Sequence, residues 1–184
     1  MKISENELIE SCRLAVITAI KKGVDSAEVY SVSSVESEVS IERNDVKLGK
    51  FHQGSGIGIR VIKNGALGFS SVNMLCREEI NEAVDASIKI ASKGSYDQYN
   101  ILPKMTVPQK LSGIYDREAQ YFKSEDSVKN AVEMLKTAKR YDKRVTVDSG
   151  AFNNSLNSIA VVNSNGVECV EMISSFTWYI MGMA

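Results

Sequence analysis

A single histidine, His52, serves all 184 residues of this chain. A Ser-His-Asp triad would have to be built around it, and no metal site drawing on two or three imidazoles can be assembled from this chain alone. Cysteine is scarce as well. Cys12, Cys76 and Cys169 are odd in number and far apart, with no CxxC pair, which excludes zinc ribbons and thioredoxin-type redox chemistry. No apolar run approaches the roughly 18 residues that a membrane-crossing helix needs. The opening MKISENELIESC puts charges where a secretory signal needs its apolar stretch, so a cytoplasmic location is expected. Charge of one sign is missing too. The 22 Lys and Arg balance 23 Asp and Glu, split 12 to 14 over residues 1–100 and 10 to 9 over residues 101–184. Such even neutrality argues against nucleic-acid binding led by phosphate neutralisation.

What is present reads as an α+β protein of antiparallel, hairpin-rich sheets with three amphipathic helices, in the order α-β5-α, linker, α-β3. Ser4 with Glu7 forms a capping box, and Leu8, Cys12, Ala15, Val16 and Ala19 recur at helical spacing over 4–22. Gly23 closes that helix. The period then drops to two, with strands expected near 27–33, 36–43, 46–52, 55–63 and 66–72. Asn44-Asp45 and Asn64-Gly65 supply tight turns between them. A second helix is expected over 77–93 and a third over 125–140, starting at Ser124 and ending in Lys136, Lys139 and Arg140. Strands near 144–153, 157–163 and 167–182 follow, with Ser164-Asn165-Gly166 as a turn. Both prolines, Pro103 and Pro108, fall in 95–115. That composition suggests a linker between a first domain, 1–94, and the start of a second, 116–184.

Several motifs invite a chemical reading and fall short of it. Gly54, Gly56 and Gly58 in QGSGIGIR lack the third glycine and the following helix of a dinucleotide loop, and a bulge or close backbone packing accounts for them better. His52 has no carboxylate or nucleophile beside it in sequence. Lys136, Lys139, Arg140, Lys143 and Arg144 form the densest basic cluster, yet only Tyr141 interleaves with them, and helix-end charge complementarity accounts for three of the five. Asn163-Ser164-Asn165-Gly166 is what a hairpin turn requires. Glu36/Glu38 and Glu78/Glu79 read as solvated faces. No residue is assigned a catalytic, cofactor-binding or metal-binding role.

The stretch from Ala27 to Asn73 resembles the opening domain of the TldD/PmbA family, first called modulators of DNA gyrase and later recognised as metalloproteases. The resemblance lies in the Ala-Glu-Val-Tyr strand (27–30), the long hairpin, the Gly-x-Gly-x-Arg-Val-Ile strand from Gly56 to Ile62, and the Asn-Gly turn before Leu67-Gly68-Phe69. The following helix, Leu102-Pro103 and the segment Val161 to Val167 keep the family's order. The resemblance implies a full chain more than twice this long and, if that full chain is catalytic, a His-Glu-x-x-x-His segment holding zinc in its later part. It also implies an unfolded-peptide substrate and pairing into homo- or heterodimers with a related subunit. No such segment occurs here, so this chain is expected to be a non-catalytic front portion that helps to form the substrate cleft or subunit interface. The apolar strand holding Phe176, Trp178, Ile180 and Met183 supports the expectation of a cut chain, because an open apolar edge invites association. The alternatives are a motif-lacking partner subunit, a gyrase regulator, or a complete interaction module whose apolar strand would drive dimers or aggregates.

Overall fold

The structure is a computed structural model that describes residues 4–105 and 111–184. Pro108 lies outside the described residues. The elements run α1 (Glu5–Lys21), β1 (Ser26–Glu42), β2 (Asp45–Lys63), β3 (Ala66–Val72), α2 (Arg77–Ala91), a 3₁₀ helix (Arg117–Tyr121), α3 (Ser124–Tyr141), β4 (Thr146–Asn163) and β5 (Glu168–Met183). The strands form one five-stranded sheet in the order β3-β2-β1-β4-β5. The fold is α+β with three helices on an antiparallel hairpin sheet, as the sequence indicates.

Where eight short strands were expected there are five long ones. Three expected breaks, near residues 34, 53 and 155, are continuous strand. The first of these is Ser33-Ser34, small polar residues that an extended backbone accepts without a turn. The first hairpin also turns one residue early. Arg43 and Asn44 both have positive φ, 49° and 65°, the signature of a type I′ turn, so Asp45 already belongs to β2. Asn64-Gly65, with φ of 50° and 71°, turns where expected and sets the β2–β3 register of Ile57 opposite Val72 through Lys63 opposite Ala66.

Two compact units make up the chain, each with its own core. The first comprises residues 1–33, 54–110 and 158–172. Its helix α1 carries the expected capping box: the Glu7 amide donates to Ser4 Oγ at 3.2 Å and the Ser4 amide to Glu7 Oε2 at 2.7 Å. Leu8, Cys12, Ala15 and Ala19 are fully buried against Val29, Ile59, Val61 and the Ile80–Val84 face of α2. β3 meets α2 through Gly68, where a Cβ would lie 1.9 Å from the Ser87 carbonyl oxygen. Only a bare backbone fits that approach.

The second unit comprises residues 34–53, 111–157 and 173–184. Val39, Ile41, Ala131, Val147 and Phe152 form its buried centre, with Met134, Leu135 and Ala138 of α3 packed against it. Phe122 stacks on Phe152 at 6.0 Å and meets Phe176 edge-on at 5.0 Å. Beneath α3, the Ser37 hydroxyl donates to Ser127 Oγ at 2.9 Å, and Ser127 donates to Asn154 Oδ1 at 2.9 Å, which satisfies three polar side chains inside the packing. The cap of α3 is Lys123, whose amide donates to Asp126 at 3.1 Å, and Ser124 is the first helical residue.

These units follow a different partition from 1–94, 95–115 and 116–184. The first core needs Ala160 and Val162 from β4, and the second needs Val39 and Ile41 from β1. Long strands serve both cores, so chain order does not coincide with packing.

Candidate functional site

The feature best suited to bind something is an edge of β2. β3 accompanies β2 only from Ile57 onward, so over Asp45–His52 the described residues place no strand on that side. Those backbone amides and carbonyls are a template for another extended chain. The hairpin that presents them is firmly held. The Arg43 and Asn44 amides donate to the Asp148 and Val147 carbonyls at 3.0 and 2.9 Å, the Val147 amide donates to Asn44 Oδ1 at 2.9 Å, and Lys139 Nζ donates to the Asn44 carbonyl at 3.1 Å. Lys47, Lys50, Phe51 and His52 are exposed along the edge, a mixture that gives an arriving chain both charge and an aromatic surface.

Within β2 the inward side changes phase. Val46 packs into the second core from an even position, whereas Ile57, Ile59 and Val61 are buried in the first core from odd ones. A one-residue slip therefore falls between 46 and 57, the stretch that contains Gly49, Gly54 and Gly56. The glycine run is a structural device. β2 continues through it to Lys63, no helix follows, and the Phe69 ring lies 3.2 Å from where a Gly58 Cβ would stand.

His52 lies exposed on β2, inside the strand rather than at its end. No hydrogen bond or ion pair joins it to a carboxylate or nucleophile among the described residues. Among those residues no group of three or more His, Cys, Asp and Glu could hold a metal ion. Cys12 is fully buried, its Sγ 3.9 Å from the Ala160 carbonyl oxygen, and burial pushes its thiol up to about 12, far from the thiolate a nucleophile needs.

The Asn163 turn is fully committed to structure. Asn163 Oδ1 accepts from the Asn165 and Val167 amides at 2.9 and 3.0 Å, and Gly166 supplies the positive φ of 91°. The amide groups of Asn163, Asn165 and Asn100 donate to the carbonyls of Pro103, Leu102 and Gly65 at 3.0, 3.0 and 2.9 Å. They pin residues 100–104 beside an open pocket of about 610 Å³ lined by Asp25, Asn100, Lys104 and Asn165. The basic cluster is likewise engaged locally: Lys139 holds the hairpin, Arg140 pairs with Glu133 at 3.4 Å, and Arg144 pairs with Asp142 at 2.9 Å. Glu36 and Glu38 are exposed beside Asn153, Ser155 and Thr177, with no metal-holding third partner among the described residues.

One surface escapes motif reading. A groove of about 660 Å³ in the second unit is lined by Met134, Ala138 and Tyr141 of α3 and by Phe152, Trp178 and Ile180 of the strands. Its signal was in the sequence as an i, i+4, i+7 apolar row on α3 opposite alternating residues on β5.

Residues 27–91 match the family description PmbA/TldA metallopeptidase domain 1. The match covers β1 to α2, which holds the long hairpin, the glycine-bearing strand and the Gly68 contact. Over these residues the chain is similar to the first domain of that family. Across 181 residues it is 27% identical to the "Metalloprotease PmbA homolog" of Haemophilus influenzae, covering 91% of this chain and 37% of that protein. It is 22% identical over 145 residues to the "Metalloprotease TldD homolog" of Buchnera aphidicola subsp. Schizaphis graminum, covering 78% of this chain and 29% of that one. The chain thus spans roughly a third of the length of these PmbA/TldD relatives. The crystal structure of TldE from Thermococcus kodakarensis shares the fold, with a TM-score of 0.86 at 24% identity over 94% of this chain and 39% of that one. Two of these relatives are named metalloproteases, while among the described residues of this chain no group of three or more His, Cys, Asp and Glu could hold a metal ion. His52, the one imidazole of the chain, belongs to no such group among the described residues.

Proposed function

We propose that this chain is a non-catalytic, peptide-guiding region of a PmbA/TldD-type zinc-dependent peptidase working in the cytoplasm on unfolded peptides. The free edge of β2 over Asp45–His52 carries this reading. An extended peptide added to that edge gains main-chain hydrogen bonds that depend little on its sequence, which suits a cleft for unfolded substrates. The pinned Asn44 turn supports it further, since a rigid edge orders only the peptide and not itself.

The test uses a labelled unstructured peptide and the same peptide with alternate backbone amides methylated. The parent is expected to raise fluorescence anisotropy with this chain and to protect Asp45–His52 from hydrogen exchange, while the methylated peptide does neither. Equal binding by the two peptides, or protection confined to other residues, would remove strand addition from the reading. A second reading, that of a motif-lacking subunit paired with a catalytic relative, separates on the coding sequence across the codon for Ala184. A downstream His-Glu-x-x-x-His segment with stoichiometric zinc favours the peptidase, and a downstream segment lacking it favours the partner subunit.

A further inference from the structure

The open pocket of about 610 Å³ lies wholly within the first unit, and its lining sets two opposite charges beside two amides. Asp25, Asn100, Lys104 and Asn165 supply them, and the buried Ile62 and Leu102 add apolar surface. Three of the polar groups are held by bonds that leave one end of each unused. The Asp25 amide donates to the Ile62 carbonyl at 2.9 Å, and Asp25 Oδ2 accepts from the Asn64 amide at 2.5 Å. Asp25 Oδ1 accepts nothing among the described residues. Asn100 and Asn165 each commit Nδ2 to a backbone carbonyl, of Gly65 at 2.9 Å and of Leu102 at 3.0 Å. A carbonyl can only accept, so the amide nitrogen must face it and Oδ1 is the end left over. Neither Oδ1 takes a bond among the described residues. Asn100 Oδ1 is not stranded in the interior, since no buried side-chain polar atom among those residues lacks a partner. Lys104 is exposed and forms no ion pair among the described residues, with Asp25 or any other carboxylate.

Two opposite charges that line one pocket without closing on each other leave room for a molecule that carries both in reverse. We infer that this pocket binds a small zwitterion, a free amino acid or dipeptide with an apolar side chain. An ammonium group has three N–H donors, matched by the unused oxygens of Asp25, Asn100 and Asn165. The ligand's carboxylate meets the Lys104 ammonium, and its side chain lies against Ile62 and Leu102. A bare cation suits the site less well, because it would meet the Lys104 charge with nothing to offset it. The wall is also set beforehand. The Gly65 carbonyl accepts from the Asp97 amide at 3.0 Å as well as from Asn100, and the Tyr96 ring lies 2.4 Å from where a Gly65 Cβ would stand. Little of the site has to be ordered when a ligand arrives. This inference uses the first unit alone and is independent of strand addition at β2.

The probes are leucine and leucyl-leucine, titrated into the isotope-labelled chain and followed by nuclear magnetic resonance at the side-chain amides of Asn100 and Asn165. Both signals should move with at least one probe, at a dissociation constant on the order of 1 mM or below. Movement with leucyl-leucine alone assigns a dipeptide site, and equal binding by leucine assigns an amino-acid site. Acetylating the amine of the binding probe, or amidating its carboxyl group, should each weaken binding about fivefold or more. Lys104→Gln should weaken the free probe by about as much yet leave its amide unchanged. Asp25→Asn keeps an oxygen for the Asn64 amide, and it should weaken the free probe yet leave the acetylated one unchanged. Lys104 has no partner to lose, so its variant tests the site even if Asp25→Asn disturbs the fold, which circular dichroism reads. Signals of Asn100 and Asn165 that stay fixed with both probes far above that concentration would overturn the inference. So would a blocked probe that binds as well as the free one, or a folded Lys104→Gln that weakens the free probe and its amide alike.

Discussion

Gly68 shows how much one missing methyl group decides. Ser87 O, Ala91 N and Ala91 Cβ would lie 1.9, 2.7 and 2.9 Å from its Cβ, and two of the three are backbone atoms that cannot swing aside. Gly68→Ala should therefore separate β3 from α2 and destabilise the protein by about 2 kcal/mol or more. Gly49→Ala, with nothing within 4 Å of the added carbon, should stay within about 0.5 kcal/mol of the wild type. Urea midpoints for the two variants test this, and equal shifts would refute the account of the Gly68 contact. Cys12 makes the same point chemically. Its hydrophobic spacing on α1 and its inert thiol have one cause, complete burial.

At the scale of elements, two helices begin on carboxylates that must be ionised to act. Hydrogen bonds from the Ser4 backbone and hydroxyl hold the Glu7 carboxyl below its ordinary range. The Lys129 ammonium, followed by the Lys123 amide, does so for Asp126. Because both folded values are depressed, their contributions are present above the unfolded carboxylate range near pH 4 and are lost as pH falls through the folded values below it. Stability should thus decline on acidification below about pH 4, and Glu7→Gln should flatten that decline. Urea unfolding from pH 7 downward provides the check, and an unchanged slope in Glu7→Gln would exclude the α1 cap as a source. Hairpins are set by equally local chemistry. The positive φ angles at Arg43, Asn44, Asn64 and Gly65 fix where β1, β2 and β3 turn, and the Asn44 side chain then ties its turn to β4.

For the molecule as a whole, neither core can be cut out as a continuous stretch. A chain of residues 1–94 would keep α1, α2 and the three-stranded meander but would lose Ala160 and Val162 of β4, which are almost wholly buried in that core. It would also expose the β1 edge on which β4 lies. Such a piece should unfold at lower temperature than the 184-residue chain and lose near-ultraviolet signal, as thermal circular dichroism would show. A piece as stable as the whole would mean that β4 contributes little to this core.

The sequence by itself determined the helices, their buried faces, the Asn64-Gly65 turn and the absence of a multi-histidine metal site. Those properties depend on periodicity, caps and residue identity within a few positions. The resemblance from Ala27 to Asn73 falls within the 27–91 match to the PmbA/TldA domain description, because its turns and glycines lie in one unbroken stretch. Tertiary structure alone decided that short strands fuse into long ones, that β2 shifts phase among its glycines, and that two cores are assembled from interleaved segments. It also decided that, among the described residues, no strand lies beside Asp45–His52 of β2 on the side away from β1. The physical reason is that period-two patterning marks a strand's faces, whereas its neighbours are chosen by contacts between residues more than a hundred positions apart, such as Ala27 with Ser164.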